Sequence, residues 1–560
     1  MKRRVELHED MTAPGTGRMR AWGLALGVFL LALLPRVLHL AVIITPDERR
    51  WVERSVKFLG SLLLGDLAGT FQTGHPGVTT MWTGAGGLWA KHMLQQEHVT
   101  LLDYLGQVTT RPSVTPEFLL PARLPTATLT ALAVGLVYLL LRRLFNNTAA
   151  LLGAVILALD PFYLAHSRVI HHDALATTFS VIALIGFLGY VWRCQSVLWL
   201  IGSGIAAGLA LLSKGSALFL LPFVGLVLLW AFWADLRSLP GSWRAAAIGR
   251  MGVGLVWLGI VALVFVAVWP AMWVQPVDTF VGMFDKAVGY AQEAHSKGNY
   301  FLGRPVEDPG FLFYPLVILF RTTPLSLLGL VLFVVQLVLY ARRFGVRSLF
   351  ENRGGQVQTA LLVYVVLFTL FMGFGSKKFD RYLLSVFPVI DILSGIAIAQ
   401  AARWLTEREG LRSTATALIA GAVFLMQGLA SLPQHPYYLS AYNALAGGPW
   451  LAQKVLLVGW GEGLEEAAAY LNRKPRAAAL EVSLFYYNDF QTFFRGAGTK
   501  LVDDNPYNPV PWAGSDYVVF YINQVQRQIP DEATVDFFES LPSEFRFEWN
   551  GIPYVQVYRT

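Results

Sequence analysis

Residues 21–51 read AWGLALGVFLLALLPRVLHLAVIITPDERRW, an apolar run that ends abruptly in two adjacent acids, two arginines and a tryptophan. A helix needs roughly 20 apolar residues to cross hydrocarbon, and the stretch from Ala21 to Ile44 supplies them. A basic tail with Lys2, Arg3, Arg4, Arg18 and Arg20 precedes it. The layout resembles a secretory leader, but the apolar part is too long for a leader core and lacks a small-x-small cleavage site, so an uncleaved first span is expected. Composition points the same way. Of 560 residues, 55% are hydrophobic and 14% charged, where soluble proteins carry about 25% charged. A soluble chain of this size splits into domains rather than enlarging one core, so this surplus of apolar surface belongs in a bilayer.

Ten further runs follow, near 118–141, 149–165, 174–192, 198–212, 217–233, 251–269, 311–340, 357–374, 382–401 and 414–431. With residues 78–93 as an extra segment in or along the membrane, the expectation is an all-α polytopic membrane domain of about 11 to 13 transmembrane helices. The net charge of +7 then marks topology rather than a nucleic-acid face. Short loops assigned to the cytoplasm hold Arg142, Arg143, Arg193, Arg250, Arg342 and Arg343, among others, against only Asp235, Glu351, Glu407 and Glu409. The alternation places residues 1–20 in the cytoplasm, a membrane domain over 21–433 with outer loops 45–117 and 270–310, and the C-terminus outside. From 434 to 560 apolar runs shorten. Strands are expected at 455–459, 477–482 and 516–522, helices at 464–472 and 532–541, and a hairpin over 545–558, which makes a soluble extracytoplasmic α/β domain. One cysteine, Cys194, excludes an intrachain disulfide.

Sorted by side, the unusual polar groups gather on the outer face: Asp47 and Glu48 after the first span; His75 and Pro76; His166, Arg168, His171, His172 and Asp173 between two spans; Lys214; and Lys377, Lys378, Arg381 and Tyr382. Acids, histidines and cations beside hydrocarbon are costly unless paired or facing a cavity. Solvated helix starts, turns and headgroup snorkelling are the plainer explanations for each group taken singly. Imidazoles and carboxylates are also zinc ligands, but adjacent histidines point in different directions on a helix and no third ligand recurs at metal-site spacing, so no metal is expected. Nucleotide-activated donors are cytoplasmic, so an enzyme acting on this face needs a lipid-linked phosphate donor. Cations would hold its phosphate, and a carboxylate would take the proton of an acceptor hydroxyl.

In their order and shared side, these motifs resemble those of the GT-C membrane glycosyltransferases, in the family of protein O-mannosyltransferases and lipid A aminoarabinose transferases. The resemblance implies a polyprenyl-phosphate sugar donor, an inverting reaction, a protein, lipid or glycan acceptor and no cofactor, in the plasma membrane. It implies Asp47 as base or acceptor-orienting acid, Glu48 beside it contacting the acceptor, and Arg168, Lys214, Lys377, Lys378, Arg381, Tyr382 and His75 around the donor phosphate. Asp173 would orient Arg168, with His166, His171 and His172 in support. Gly77 stands where the family commonly has proline, and the C-terminal region lacks the Trp-Trp-Asp-Tyr-Gly element of oligosaccharyltransferases. Two rivals share these features. A transporter or flippase of a lipid-linked anion would draw on intramembrane Arg36, Arg321 and Asp391, and a ligase or polymerase would join lipid-linked glycans.

Overall fold

The computed structural model describes residues 16–95, 99–110, 115–238, 243–292, 295–351, 353–409, 412–501, 510 and 512–560; Lys2, Arg3 and Arg4 lie outside them. Among the described residues, nine helices are long and apolar enough to cross a membrane. Helices Asn147–Ala158 and Pro161–Ser167 make a tenth span bent by 60°, and Val197–Ser213 is a shorter apolar helix. The chain is a multi-pass membrane protein, and these eleven segments match the apolar runs one for one.

Several expected boundaries change, each for a local reason. The first helix, Thr16–Val37, stops short of Ile44, and residues 38–47 continue as turns and irregular chain. The run over 149–165 bends because Asp160 caps a new helix, its Oδ1 accepting from Tyr163 N at 2.6 Å, with Pro161 at the first helical position. The same chemistry divides 311–340 into Phe313–Arg321 and Pro324–Phe344: Thr323 Oγ1 accepts from Ser326 N at 3.2 Å ahead of Pro324. Residues 78–93 form helix Val78–Gln95, which is not one of the nine and packs against helices Glu48–Leu63 and Pro116–Leu144. Residues 455–459 are not a strand. They leave helix Gly448–Val455, and only Leu456 bridges, to Phe301.

Helix packing uses small residues where backbones meet. Helix Asn147–Ala158 crosses helix Phe387–Glu409 at Gly153 and Gly395, where a Cβ on Gly395 would collide with the Gly153 backbone. Between the spans, helix Pro276–Gln292 and a short hairpin, β1 (Asn299–Phe301) with β2 (Arg304–Val306), form the long connecting segment.

The C-terminal region builds a five-stranded sheet from β3 (Glu481–Leu484), β4 (Ala497–Lys500), β5 (Tyr517–Tyr521), β6 (Phe545–Trp549) and β7 (Ile552–Arg559), ordered β4-β3-β5-β7-β6. β3 runs parallel to both neighbours, and β7 is antiparallel to both of its own. The strand expected over 477–482 begins only at Glu481, after a short helical turn, Ala477–Ala479. Central β5 is buried along its whole length. Val518 and Phe520 pack with Phe538 and Tyr558 on one face, and Val519 and Tyr521 join the main core on the other. The helices at Leu464–Asn472 and Glu532–Glu539 and the hairpin at 545–559 fall where the sequence places them.

The C-terminal region is fastened to helix Phe313–Arg321 through Asn443 N to Phe320 O (2.8 Å) and Arg321 Nη1 to Leu439 O (2.6 Å), and to the β1–β2 hairpin through Leu302 N to Val455 O (3.0 Å). Substituting Gly395→Leu overpacks the Gly153 crossing, a change that costs about 1–3 kcal/mol in well-packed cores. The expected outcome is a clearly lowered melting temperature in detergent, whereas Gly421→Leu, with no atom within 4 Å of its added Cβ, leaves melting near wild type.

Candidate functional site

The two adjacent acids of 45–51 part company at the start of helix Glu48–Leu63, because successive helical residues point about 100° apart. Glu48 turns inward and is wholly buried. Its Oε1 accepts from Arg123 Nε at 2.7 Å and Ile170 N at 2.9 Å; its Oε2 accepts from Thr45 N at 2.9 Å and from Arg123 Nη2. Arg123, 1% exposed, extends from helix Pro116–Leu144 and also donates to the carbonyls of Leu40 and Ile43. Every lone-pair direction of Glu48 is spent inside the protein, so the expected contact with an acceptor gives way to a structural role. Arg123 was not among the residues singled out from the sequence. A charge inside an apolar helix, which must find a partner, was the available signal.

Asp47, at the cap position, turns the other way into an open cleft and makes no capping bond with its side chain. Arg381 Nη2 lies 3.2 Å from its Oδ2, and His171 Nε2 lies 3.7 Å away. Burial pushes the Asp47 carboxyl up, but Arg381 and His171 outweigh it and hold it below the usual carboxylate value of 3.8.

Beneath it sits Asp173, with Lys214 Nζ at 2.5 Å, His171 Nδ1 at 3.2 Å, and Arg381 Nε and His172 Nε2 both at 3.6 Å. Asp173 therefore orients Lys214 and Arg381, not Arg168 as expected. The Lys214 ammonium also lies 4.1 Å from the centre of the Tyr382 ring, and His75 stacks on His172 at 5.8 Å. Burial, with the charges of Lys214 and Lys377, lowers His75 to about 4, so its imidazole is neutral at physiological pH. Gly77 has φ +55° with the Trp51 ring where a Cβ would stand, which explains why neither proline nor any L side chain fits there. His166 packs between Phe162 and Trp460 at the cleft wall.

Two expected phosphate ligands are elsewhere. Arg168 donates to the Pro35 and His39 carbonyls at the end of the first helix, with its guanidinium over Tyr438. Lys378 is buried with Asp308 at 2.6 Å, and its carbonyl accepts from Asn299 at 2.6 Å, which pins the β1–β2 hairpin. Lys377 is half-buried and close enough for its charge to depress both His75 and His295.

Sequence reasoning also missed the contribution of the C-terminal region. The Gly459-Trp460-Gly461-Glu462-Gly463 loop enters the cleft, and the Arg381 guanidinium lies 4.8 Å above the Trp460 ring, with His171 edge-on at 5.2 Å. Gly461, at φ +116°, touches the Ile44 carbonyl so closely that no Cβ fits. Tyr521 Oη donates to Glu462 at 2.9 Å and accepts from Gly461 N at 2.8 Å, fixing the loop.

The ligand atoms of His171, His172 and Asp173 lie within 4.8 Å of one another, a spacing that would suit a cation. The Asp173 oxygens already face Lys214 and Arg381.

Residues 87–278 match the family model for dolichyl-phosphate-mannose-protein mannosyltransferase. The resemblance read from the sequence holds over that stretch, which contains Arg168, Asp173 and Lys214 but not Asp47 or Arg381. Dolichyl-phosphate-mannose–protein mannosyltransferase 1 of Saccharomyces cerevisiae is 35% identical over 136 residues, which span 23% of this chain and 16% of that protein. Among solved structures, ArnT from Cupriavidus metallidurans bound to undecaprenyl phosphate aligns over 97% of this chain and 98% of its own, at 15% identity and a TM-score of 0.48. The oligosaccharyltransferase AglB from Archaeoglobus fulgidus, with an inhibitory peptide and a dolichol-phosphate, aligns over 97% of this chain and 74% of its own, at 13% identity and 0.46. The S. cerevisiae Pmt1-Pmt2 complex bound to the sugar donor aligns over 46% of this chain and 34% of its own, at 22% and 0.36.

Removing one partner of a buried ion pair leaves an uncompensated charge and costs about 3–5 kcal/mol. Arg123→Met is therefore expected to lower the melting temperature sharply. The double variant Arg123→Met, Glu48→Gln should recover part of the loss in the same measurement.

Proposed function

We propose that the chain is a GT-C membrane glycosyltransferase that moves a sugar from a polyprenyl-phosphate donor to an acceptor hydroxyl on the outer face of the plasma membrane. The observation that carries this reading is the Asp47 carboxylate, open to a cleft, held ionised by Arg381 and set beside the Lys214–Asp173–His75 group. The match to the mannosyltransferase family model supports it. In this reading residues 1–20 lie in the cytoplasm, 21–433 form the transferase domain, and 434–560 form an outer domain that closes the site.

The acceptor oxygen attacks the anomeric carbon, the bond from that carbon to the donor phosphate breaks, and its electron pair leaves with the phosphate. The acceptor proton passes to Asp47. A single displacement inverts the anomeric centre. A carboxylate of depressed pKa is a weak base, so Asp47 chiefly orients the hydroxyl and takes its proton late, as the phosphate departs. Lys214, Arg381, Lys377 and Tyr382 surround the leaving phosphate, and neutral His75 offers one hydrogen bond. Fixed cations in a site shielded from water stabilise charge where it develops. Arg168 and Lys378 are left out of this set because carbonyls and Asp308 already hold them. The transporter reading loses its footing in the same way. Arg36 donates to the Ala32 and Ala158 carbonyls, Arg321 pairs with Asp380 at 2.7 Å, and Ser326 donates to Asp391 at 2.6 Å.

Asp47→Asn is expected to lower transfer of labelled sugar from a polyprenyl-phosphate donor to membrane acceptors by at least about 100-fold, the scale of general-base loss, with normal membrane insertion. Transfer at the wild-type rate would remove Asp47 from the reaction. Because Arg381 lowers the Asp47 pKa, the base form persists to more acid pH in the wild type. The residual activity of Arg381→Gln should therefore fall away at higher pH on the acid side, read from initial rates across the pH range.

A further inference from the structure

The cleft has a second wall that the reaction above does not use. It is made by the C-terminal region and centres on Arg527, only 8% exposed yet lining the cleft together with Asp47, Lys297 and Trp460. Its Nε donates to Asn523 O at 3.0 Å, and its Nη2 reaches Asn523 Oδ1 at 3.1 Å and Tyr486 Oη at 3.5 Å. The guanidinium lies 5.5 Å from the Phe485 ring. Each of these partners is neutral, and among the described residues no carboxylate pairs with it. A buried cation is costly unless an anion answers it. The two acids of the cleft are already engaged, Asp47 by Arg381 and Asp380 by Arg321. Arg527 is nonetheless held firmly: Asn523 is anchored to the Gly459 carbonyl at 3.0 Å and to Tyr486 Oη at 2.7 Å. Lys297, an exposed ammonium from the segment before β1, adds positive charge to the same cleft. Of the cations assigned to the donor phosphate, Lys214 and Lys377 do not line this cleft, and Arg381, which does, is already paired with Asp47.

We propose that Arg527, aided by Lys297, binds an anionic group, a phosphate or a carboxylate, carried by the acceptor beside its reacting hydroxyl. This assignment rests on the glycosyl-transfer reading for the word acceptor, while the anion subsite stands on Arg527 itself. A planar guanidinium with part of its fork already oriented by Asn523 suits an oxyanion. Cation groups on two sides of Asp47 would separate the two substrates, with the donor phosphate on the Asp173 side and the acceptor anion on the C-terminal side.

The test uses the full-length protein in detergent, with inorganic phosphate as the probe. Phosphate is expected to raise the melting temperature of the wild type with a saturable midpoint. That midpoint should move up at least tenfold in Arg527→Gln, shift less in Arg527→Lys, and move up in Lys297→Gln, where the exposed side chain spares the fold. Midpoints equal to wild type in both Arg527→Gln and Lys297→Gln would overturn the subsite, as would the same stabilisation by sodium chloride at equal ionic strength. A kinetic arm separates the two sources of anion. Phosphate should inhibit sugar transfer without competing with the polyprenyl-phosphate donor, and competition with the donor would assign the subsite to the donor's phosphate and overturn the acceptor assignment. A wild type that transfers no sugar defeats the glycosyl-transfer reading alone, because the phosphate titration still decides Arg527.

Discussion

The buried pairing of Glu48 with Arg123 is the constraint on which the site depends. It joins three stretches that are distant in sequence: the irregular chain after the first helix, the proline-containing helix Pro116–Leu144, and the backbone of Ile170 just before His171 and Asp173. Desolvating two charges is expensive, and such a pair is weak evidence for stability. Its effect here is geometric. With Glu48 fixed inward, the helical turn leaves Asp47 no direction but the cleft, and the bond to Ile170 sets the distance from Asp47 to His171 and Asp173.

Around that clasp the charges alternate. Asp47 and Asp173 carry the negative charge, and Arg381 reaches both, at 3.2 Å and 3.6 Å. Lys214 closes the lower end and Trp460 covers the upper. Arg381 is thus held on three sides by two carboxylates and an aromatic face, which fixes the direction of its charge. His75 adds no positive charge to the cluster, because burial and two lysines keep it neutral.

Most of the membrane part was legible in the sequence, because apolar runs separated by arginines translate directly into spans. The exceptions are instructive. The break at Thr322–Thr323 is only two residues long and hides inside one hydropathy peak, although Pro324 after a threonine is a helix start. The clustering of Asp47, His171, Asp173, Lys214 and Arg381 was also legible, from side and order alone. Which acid faces the cleft was not, since that choice turns on Arg123, some 75 positions away. Arg168 and Lys378 show the converse: a cation on the right side is drawn off by carbonyls or by a local acid, and composition cannot reveal that competition. Trp460 and Arg527 escaped because Pro46 and Asp47, with which they line the cleft, lie at the other end of the chain.

The fit of Gly461 against the Ile44 carbonyl bears on when the cleft is completed. Residues 44–47 emerge early in synthesis, and the loop that roofs them belongs to the last quarter of the chain. A nascent polypeptide that has threaded all its apolar helices still lacks the ring over Arg381 and the far wall of the cleft. The cleft is therefore complete only once the C-terminal sheet has docked, so a copy lacking that region has an unfinished cleft rather than an unguarded one.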